Sequence, residues 1–459
     1  MKIVHFTHPF APLIGGIESS VATFAADLRA LGHEVLVVTT SPTPANDSES
    51  GILRIPSLPD GVRLFTEVAE TGPKGVRLCL EKDADTSIDD DKRKNPDSAG
   101  SFYHSIESFA PDVIHVHQPF LLGRWAQVYA WTRGLPLVFT HHTLYDREED
   151  RVHLDGLAAL EAAARELAIV YSDFCDGLVA PTPSIAALLR NQGAAGPISV
   201  VPTGIDTARF ASGDGAGFRQ RHGIPADAFV VGHLGRLIPA KRIGYLTEAI
   251  VTFLTRAPEA VALICGEGEM AAPLADAFHE AGLSDRLFLL GRLSEGEIAD
   301  AYAAMDVFTF ASLTDTQGLV LTEAMAAGVP VLALRATGPQ DVVVDGVSGR
   351  LLDPAATPAD FAHALAAFRD SPDRPRFAAE ARRRSLDFDR RVCAEALLSV
   401  YEGAAIRLRG RSDHRDPRQE PLAALHDRVA AEWLRLASLP PSLHALLPTR
   451  WFPGFAPRG

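Results

Sequence analysis

Cysteine is scarce in this chain: Cys79, Cys175, Cys265 and Cys393 are the only four in 459 residues. They lie far apart, without a CxxC pair or metal-ligand spacing, which excludes a disulfide scaffold and a zinc module. They read as small apolar core residues in a reducing compartment. Long apolar runs are lacking as well. The longest, Ala324 to Leu334, has about eleven residues where a bilayer helix needs roughly 20, so no segment is expected to span a membrane. The opening MKIVHFTHPF is a short β-like run broken by Pro9, without the apolar core of a signal peptide. Basic charge is in deficit: 44 Lys and Arg against 58 Asp and Glu leave a formal net charge of −14. A protein that coats nucleic acid needs the opposite balance.

What is present is an ordinary folded composition, 47% hydrophobic and 22% charged, in a chain too long for one core. Short β-branched runs alternate with Ala/Leu-rich amphipathic stretches. Lys2–Thr7, Glu34–Thr39, Val113–His117, Leu137–Thr140, Gly177–Ala180 and Ser199–Val201 predict strands of one series, with a helix over Glu18–Leu31. Phe229–Gly232, Val261–Cys265, Leu287–Leu290, Val307–Phe310 and Pro330–Leu334 predict a second series. Pro202 and Gly204 interrupt regular structure between them. The expectation is an α/β protein of two doubly wound, Rossmann-like domains facing a cleft, with ligands at the carboxyl ends of the strands. The first domain would run from 1 to 203 and the second from 204 to 390. A helix over 391–405 would return to the first, and an Arg-rich extension would fill 406–459. Residues 81–97 carry seven acids, four bases and almost no apolar side chain, and predict a solvated loop.

Four stretches could carry chemistry. Gly15 and Gly16 lie between the first strand and helix, where they would let a phosphate or sugar approach the backbone or would simply make a tight turn. The dinucleotide fingerprint GxGxxG is absent, and Gly266-Glu-Gly268 lacks its third glycine, which disfavours a nicotinamide enzyme. Arg236 and Lys241 follow the first strand of the second series, two cations five apart that suit a diphosphate or, equally, a solvated basic loop. Asp315 and Glu323 lie eight apart around Gln317, Gly318 and Leu319. The acids can grip hydroxyls at two ends of one polar ligand, and free N–H groups near Gly318 can hold an anion. His141 and His142 end a strand, and adjacent residues on extended chain point oppositely, so one of them should face the cleft.

Taken together, GGIE near the start, the strand-end T-H-H-T, the P-T-G-I-D join, G-R-L…K, and S-L-T-D-T-Q-G-L-V…E-A-M-A-A-G-V-P-V resemble the family 4 retaining glycosyltransferases of the GT-B fold, over roughly residues 1–405. Within that family they look most like bacterial glucosyltransferases acting on diacylglycerol. The resemblance implies that Arg236 and Lys241 bind the nucleotide-sugar diphosphate and stabilise it as leaving group. It implies that Glu323 binds the ribose hydroxyls and that Asp315, one methylene shorter than the family's Glu, contacts the transferred sugar. His142 would lie near that sugar, and Gly15 and Gly16 beside the diphosphate. Gln317, Gly318 and Leu319 would complete the donor site. It further implies a metal-free, cofactor-free transfer from a donor such as UDP-glucose, with retention by front-face substitution.

In the tail, Leu422, Leu425, Val429, Trp433 and Leu436 predict an amphipathic helix over about 421–439. It could lie on anionic lipid, as a diacylglycerol or glycolipid acceptor would require, or pack back on the first domain. A cytoplasmic protein, peripheral on the inner face of the cell membrane, is the corresponding expectation. A soluble or polysaccharide acceptor, a GT-B-like nucleotide-sugar epimerase and a non-catalytic sugar-nucleotide binder are the rival readings.

Overall fold

The computed structural model describes residues 1–7, 15–41, 51–56, 62–68, 76–82, 97–120, 122–142 and 157–410. The acidic stretch from 83 to 96 and the amphipathic helix expected over 421–439 lie outside the described residues. The chain forms two compact units. One comprises Met1–Pro181, Ala186–Val201 and Ala394–Gly459; the other comprises Thr182–Ile185 and Pro202–Cys393. Among the described residues, no helix is long and apolar enough to cross a membrane.

The first unit contains β1 (Lys2–Thr7), β2 (Glu34–Ser41), β3 (Ile52–Pro56), β4 (Val62–Val68), β5 (Val76–Lys82), β6 (Val113–Val116), β7 (Leu137–Thr140), β8 (Gly177–Ala180) and β9 (Ile198–Val200). Seven of these form a parallel sheet in the order β3-β2-β1-β6-β7-β8-β9, while β4 and β5 pair antiparallel by themselves. The second unit contains β10 (Phe229–Leu234), β11 (Ala260–Cys265), β12 (Leu287–Leu289), β13 (Val307–Phe310), β14 (Val331–Leu334) and β15 (Gly349–Leu352). These form a second parallel sheet in the order β12-β11-β10-β13-β14-β15.

Burial on both faces explains the strand sequences. In β6, β7, β8, β11, β13 and β14 every residue is buried, so each reads as an almost unbroken apolar run rather than an alternating one. One face of the second sheet is covered by Leu246, Ile250 and Phe253 of the helix Ile243–Leu254 and by Phe361 and Leu365 of the helix Pro358–Arg369. The other face takes Tyr302, Leu321, Met325 and Ala381. The strand order reverses direction between β1 and β6 in one sheet and between β10 and β13 in the other. Loops leaving the carboxyl ends of such neighbouring strands diverge and open a crevice.

Strands β3, β4, β5 and β15 escape the sequence reading. Ile-Leu-Arg-Ile-Pro in β3 is an edge strand ending in proline, and Gly-Arg-Leu-Leu in β15 begins with two residues that carry no β signal. The helix Arg390–Gly410 starts in the second unit and continues in the first. There the Tyr401 hydroxyl meets His115 Nδ1 at 2.7 Å, and Arg407 Nε donates to the Asp176 carbonyl at 2.5 Å.

Candidate active site

In the second unit, the loop after β10 carries Arg236, exposed, and then one 3-10 turn, Pro239–Lys241. The loop is clamped from below by the segment after β11. Leu237 N–H donates to the Glu267 carbonyl at 2.8 Å, and Met270 N–H to the Leu237 carbonyl at 2.9 Å. The approach is close enough that a Cβ on Gly266 would stand 1.8 Å from the Gly235 carbonyl oxygen, and one on Gly268 would stand 2.2 Å from that of Leu237. The Gly-Glu-Gly that failed as a dinucleotide fingerprint therefore has a local use: it lets two loops touch backbone to backbone. After Lys241 the chain passes through Arg242, which holds a left-handed φ of 53°, a conformation that costs a non-glycine residue on the order of 1 kcal/mol or more. That turn aims Lys241 inward. Its Nζ donates to both oxygens of Asp315, at 2.5 and 2.7 Å.

Asp315 lies in the loop after β13. Burial disfavours its charge, but Lys241, the Ser312 hydroxyl and the positive charge of Arg236 outweigh that and hold the carboxyl below its usual range. The loop ends at Gly318, left-handed at φ 83°, which starts the helix Leu319–Ala326 without any side-chain cap. Glu323, half-buried in that helix, accepts a 2.8 Å hydrogen bond from the Tyr302 hydroxyl on Oε2. Burial raises its pKa, with the Tyr302 bond and Arg209 acting against the rise.

Gln317 has a different place from the one the motif suggested. It is buried, and its amide is spent on the Thr203 backbone, with Oε1 accepting at 2.8 Å and Nε2 donating at 2.9 Å. It fixes the loop that carries Asp315 rather than offering its amide to a ligand. Gly338 closes the same loop from the other side, where a Cβ would lie 2.4 Å from the Asp315 carbonyl oxygen.

In the first unit, Gly15 caps the helix Gly16–Ala30 with extended backbone and no side-chain acceptor. A Cβ at Gly16 would meet none of the described residues within 4 Å, so none of them requires glycine there. Of the two adjacent histidines, His141 is buried, whereas His142 is partly exposed beyond β7. His142 is not isolated. Its Nε2 lies 2.9 Å from Nδ1 of His117, whose Nε2 lies 2.9 Å from Nδ1 of His5. His5 Nε2 meets the Tyr401 hydroxyl at 3.3 Å, and His115 bridges Tyr401 and Thr140 at 2.7 Å on each side. Burial foremost, then the charge of His141 if it protonates, lowers the His142 pKa to about 3; burial and Arg29 lower that of His5 to about 3. His115 and His117 are likewise lowered well below the usual imidazole value by burial and then by their neighbours in the group. Nitrogen atoms of His5, His115 and His117 lie within 4.8 Å of one another, the one grouping among the described residues that could ligate a metal ion.

The model for glycosyl transferases group 1 matches residues 216–384, and that for glycosyltransferase family 4 matches residues 14–209. The D-inositol 3-phosphate glycosyltransferase of Stackebrandtia nassauensis is 34% identical over 67% of this chain and 71% of its own. The chain belongs to glycosyltransferase family 4. It is a hexosyltransferase of the GT-B fold. It is also similar to the alpha-monoglucosyldiacylglycerol synthase of Acholeplasma laidlawii, 28% identical over 72% of this chain and 80% of that one. The GDP-mannose-dependent alpha-mannosyltransferase of Mycobacterium tuberculosis is 28% identical over 88% of this chain and 96% of its own. Among solved structures, Anabaena HepE in complex with UDP and glucose superposes with a TM-score of 0.64, at 20% identity, over 90% of this chain and all of that one.

In this glycosyltransferase Arg236, Lys241 and Asp315 meet at the switch point of the second sheet, and Gly318 and Leu319 open the helix on which Glu323 lies about a turn further along, against Tyr302. Gly15, Gly16 and His142 belong to the first unit. The sequence reading picked out His142 but missed Tyr302 and the histidines behind it, His5, His115 and His117. His-Val-His over 115–117 did carry a signal, since residues two apart on a strand share a face, and His5 pairs with His115 in the β1–β6 register. His233, buried near the end of β10, donates from Nδ1 to the Thr309 carbonyl at 3.0 Å, leaving Nε2 without a hydrogen-bond partner among the described residues.

Proposed function

We propose that this hexosyltransferase moves a hexose, with retention, from a nucleotide-diphosphate sugar to a hydroxyl of a membrane glycerolipid, with UDP-glucose as donor and diacylglycerol or a related glycolipid as acceptor. The observation that carries the donor half is the cluster of Arg236, Lys241 and Asp315 beside an uncapped helix N-terminus at Gly318. Breaking the anomeric bond leaves positive charge on the sugar and added negative charge on the diphosphate. Arg236 and Lys241 neutralise the second, aided by the N–H groups that open the helix Leu319–Ala326. Asp315 is already ionised by its surroundings, and its carboxylate can accept from sugar hydroxyls while it holds Lys241 in place. Glu323 keeps Oε1 without a protein partner among the described residues, and that oxygen suits a ribose hydroxyl. In this reading Arg236, Lys241 and the helix terminus carry the charge that a divalent ion carries elsewhere, so turnover should survive chelation by EDTA.

The acceptor half rests on the glucosyldiacylglycerol synthase relative and on the Arg-rich sequence of the tail, which would bring the enzyme to the inner face of the membrane. The test is release of nucleoside diphosphate from a panel of sugar donors, with and without liposomes containing diacylglycerol. Release from UDP-glucose that rises sharply with the lipid is the expected result. Release from GDP-mannose instead, or release unaffected by lipid but raised by a soluble polyol phosphate, would replace the donor or the acceptor in this reading.

A further inference from the structure

Two tyrosines of the second unit spend their hydroxyls differently. Tyr245 donates to the carbonyls of Ala356 and Thr357, at 2.9 and 3.0 Å, and so ties its own helix to the start of the helix Pro358–Arg369. Tyr302, near the end of the helix Glu295–Ala303, donates instead to a side chain: Oε2 of Glu323, on the helix Leu319–Ala326, at 2.8 Å. Burial holds the Tyr302 phenol well above its usual range, so the proton stays on its oxygen and the carboxylate is the acceptor.

Packing alone does not call for that hydroxyl. The Tyr302 ring is wholly buried, edge-on to Phe210 with centroids 5.8 Å apart and tilted against Phe308 at 5.6 Å. A phenylalanine ring would make the same contacts, whereas a buried O–H is costly unless it finds an acceptor. The acceptor it finds is half-buried, and only one of its oxygens is used: among the described residues, Oε1 of Glu323 has no hydrogen-bond partner. A glutamate on a helix has a long, freely rotating side chain, and anchoring one oxygen removes most of that freedom before a ligand arrives. The same bond, with the positive charge of Arg209 on the helix Thr207–Ala211, works against burial, which by itself would drive the carboxyl toward its neutral form.

We propose that Tyr302 is a positioning residue of the donor site: its hydroxyl anchors Oε2 of Glu323 and so presents Oε1 to a ribose hydroxyl of the nucleotide-sugar. The proposal rests on the reading of Glu323 as the ribose contact. Tyr302 itself touches no ligand, because its hydroxyl is spent on the carboxylate and its ring lies in the core. Removing the hydroxyl while keeping the ring leaves Glu323 in place but lets its carboxylate swing, so the loss should fall on the ribose hydroxyls and on nothing else in the donor.

The experiment is calorimetric binding of UDP and GDP, and of their 2′,3′-dideoxy counterparts, to the full chain, with the tighter-binding diphosphate as the probe. The wild type should prefer the ribose form by about 10–100-fold, the scale of a hydrogen bond to a charged group. Tyr302→Phe should bind the ribose form about tenfold more weakly and the dideoxy form as the wild type does. Both ligands are compared on one protein sample, so their ratio does not depend on the fraction folded. In a Glu323→Ala background, adding Tyr302→Phe should change neither affinity, whereas a hydroxyl that served the core alone would weaken both ligands in both backgrounds. An undiminished preference for the ribose form in Tyr302→Phe would overturn the proposal, and so would equal weakening of both ligands. A wild type indifferent to the ribose hydroxyls would remove the ribose reading of Glu323 and the proposal with it. Failure to bind either diphosphate would remove the donor reading and the proposal together, so the failures are told apart by which protein and which ligand shows them.

Discussion

At the switch point of the second sheet, polar groups are charged and paired across short distances: Lys241 grips both oxygens of Asp315, and Arg236 adds to the same field. At the corresponding place in the first sheet, between β1 and β6, the polar groups are four imidazoles held neutral, with a tyrosine and a threonine for company. The same parallel scaffold thus supports two kinds of polar site. Fixed charge suits the role proposed for that half, taking up the charge of a departing diphosphate, since its value lies in magnitude and position. In the first unit burial alone keeps the imidazoles uncharged side by side, so they bond to one another without any fixed charge.

The hardest blow to this comparison falls on the charged half. Lys241→Ala and Glu323→Ala should each reduce transfer by about 10²–10³-fold, the scale found when one preorganised group aimed at developing charge is deleted. Both variants should fold, because Lys241 and Glu323 are only partly buried and lie outside the cluster of core side chains. Initial rates with saturating acceptor, alongside thermal unfolding, check both statements. Near-normal transfer by Lys241→Ala would remove the charged half from the chemistry.

Acid separates the two halves more gently. An imidazole kept neutral in the fold binds its proton only on unfolding. Between its usual value of 6.5 and a folded value of about 3, the unfolded chain therefore takes up more protons than the folded one. The stability held by His5 and His142 is fully present above pH 6.5 and drains away as the pH falls toward 3, at about 1.4 kcal/mol per pH unit for each ring. Asp315 behaves otherwise. Its pKa is lowered by Lys241, so its contribution is intact above the usual carboxylate range and is lost only below it. Amide exchange at pH 7, 6 and 5 should show protection in β1, β6 and β7 falling before that in β10 and β13. Simultaneous loss would mean that the imidazoles do not set the acid limit of their unit.

The charged half was the more legible in sequence, for a physical reason. Its residues lie in local loop and helix segments, so Arg236, Lys241, Asp315 and Glu323 fall inside contiguous motifs that a family resemblance can carry, although spacing alone left the Arg/Lys pair open to a solvated loop. The strands β1, β7, β8, β13 and β14 were equally plain, because burial on both faces leaves apolar runs bounded by glycine, proline and polar residues. The neutral half is assembled from residues as far apart as His5 and Tyr401, brought together by the strand order and by the return of the helix Arg390–Gly410 to the first unit. Gln317 shows the opposite error. It stands inside the most specific motif, yet its amide holds Thr203, and no local pattern distinguishes an amide used for a loop from one used for a ligand.

Glycine sharpens the contrast at the smallest scale. In the second unit Gly266 is demanded by the protein itself: its φ is +145°, and a Cβ would collide with the Gly235 carbonyl. In the first unit a Cβ at Gly16 meets none of the described residues, and the residue sits at the first turn of a helix, where alanine is tolerated. Gly16→Ala should therefore change stability by no more than about 0.5 kcal/mol. If a diphosphate or sugar closes on that backbone, the added methyl occupies space that belongs to the ligand, and the KM for donor should rise while the melting temperature stays put. A variant with unchanged KM would return Gly16 to an ordinary turn and leave the donor to the charged half alone.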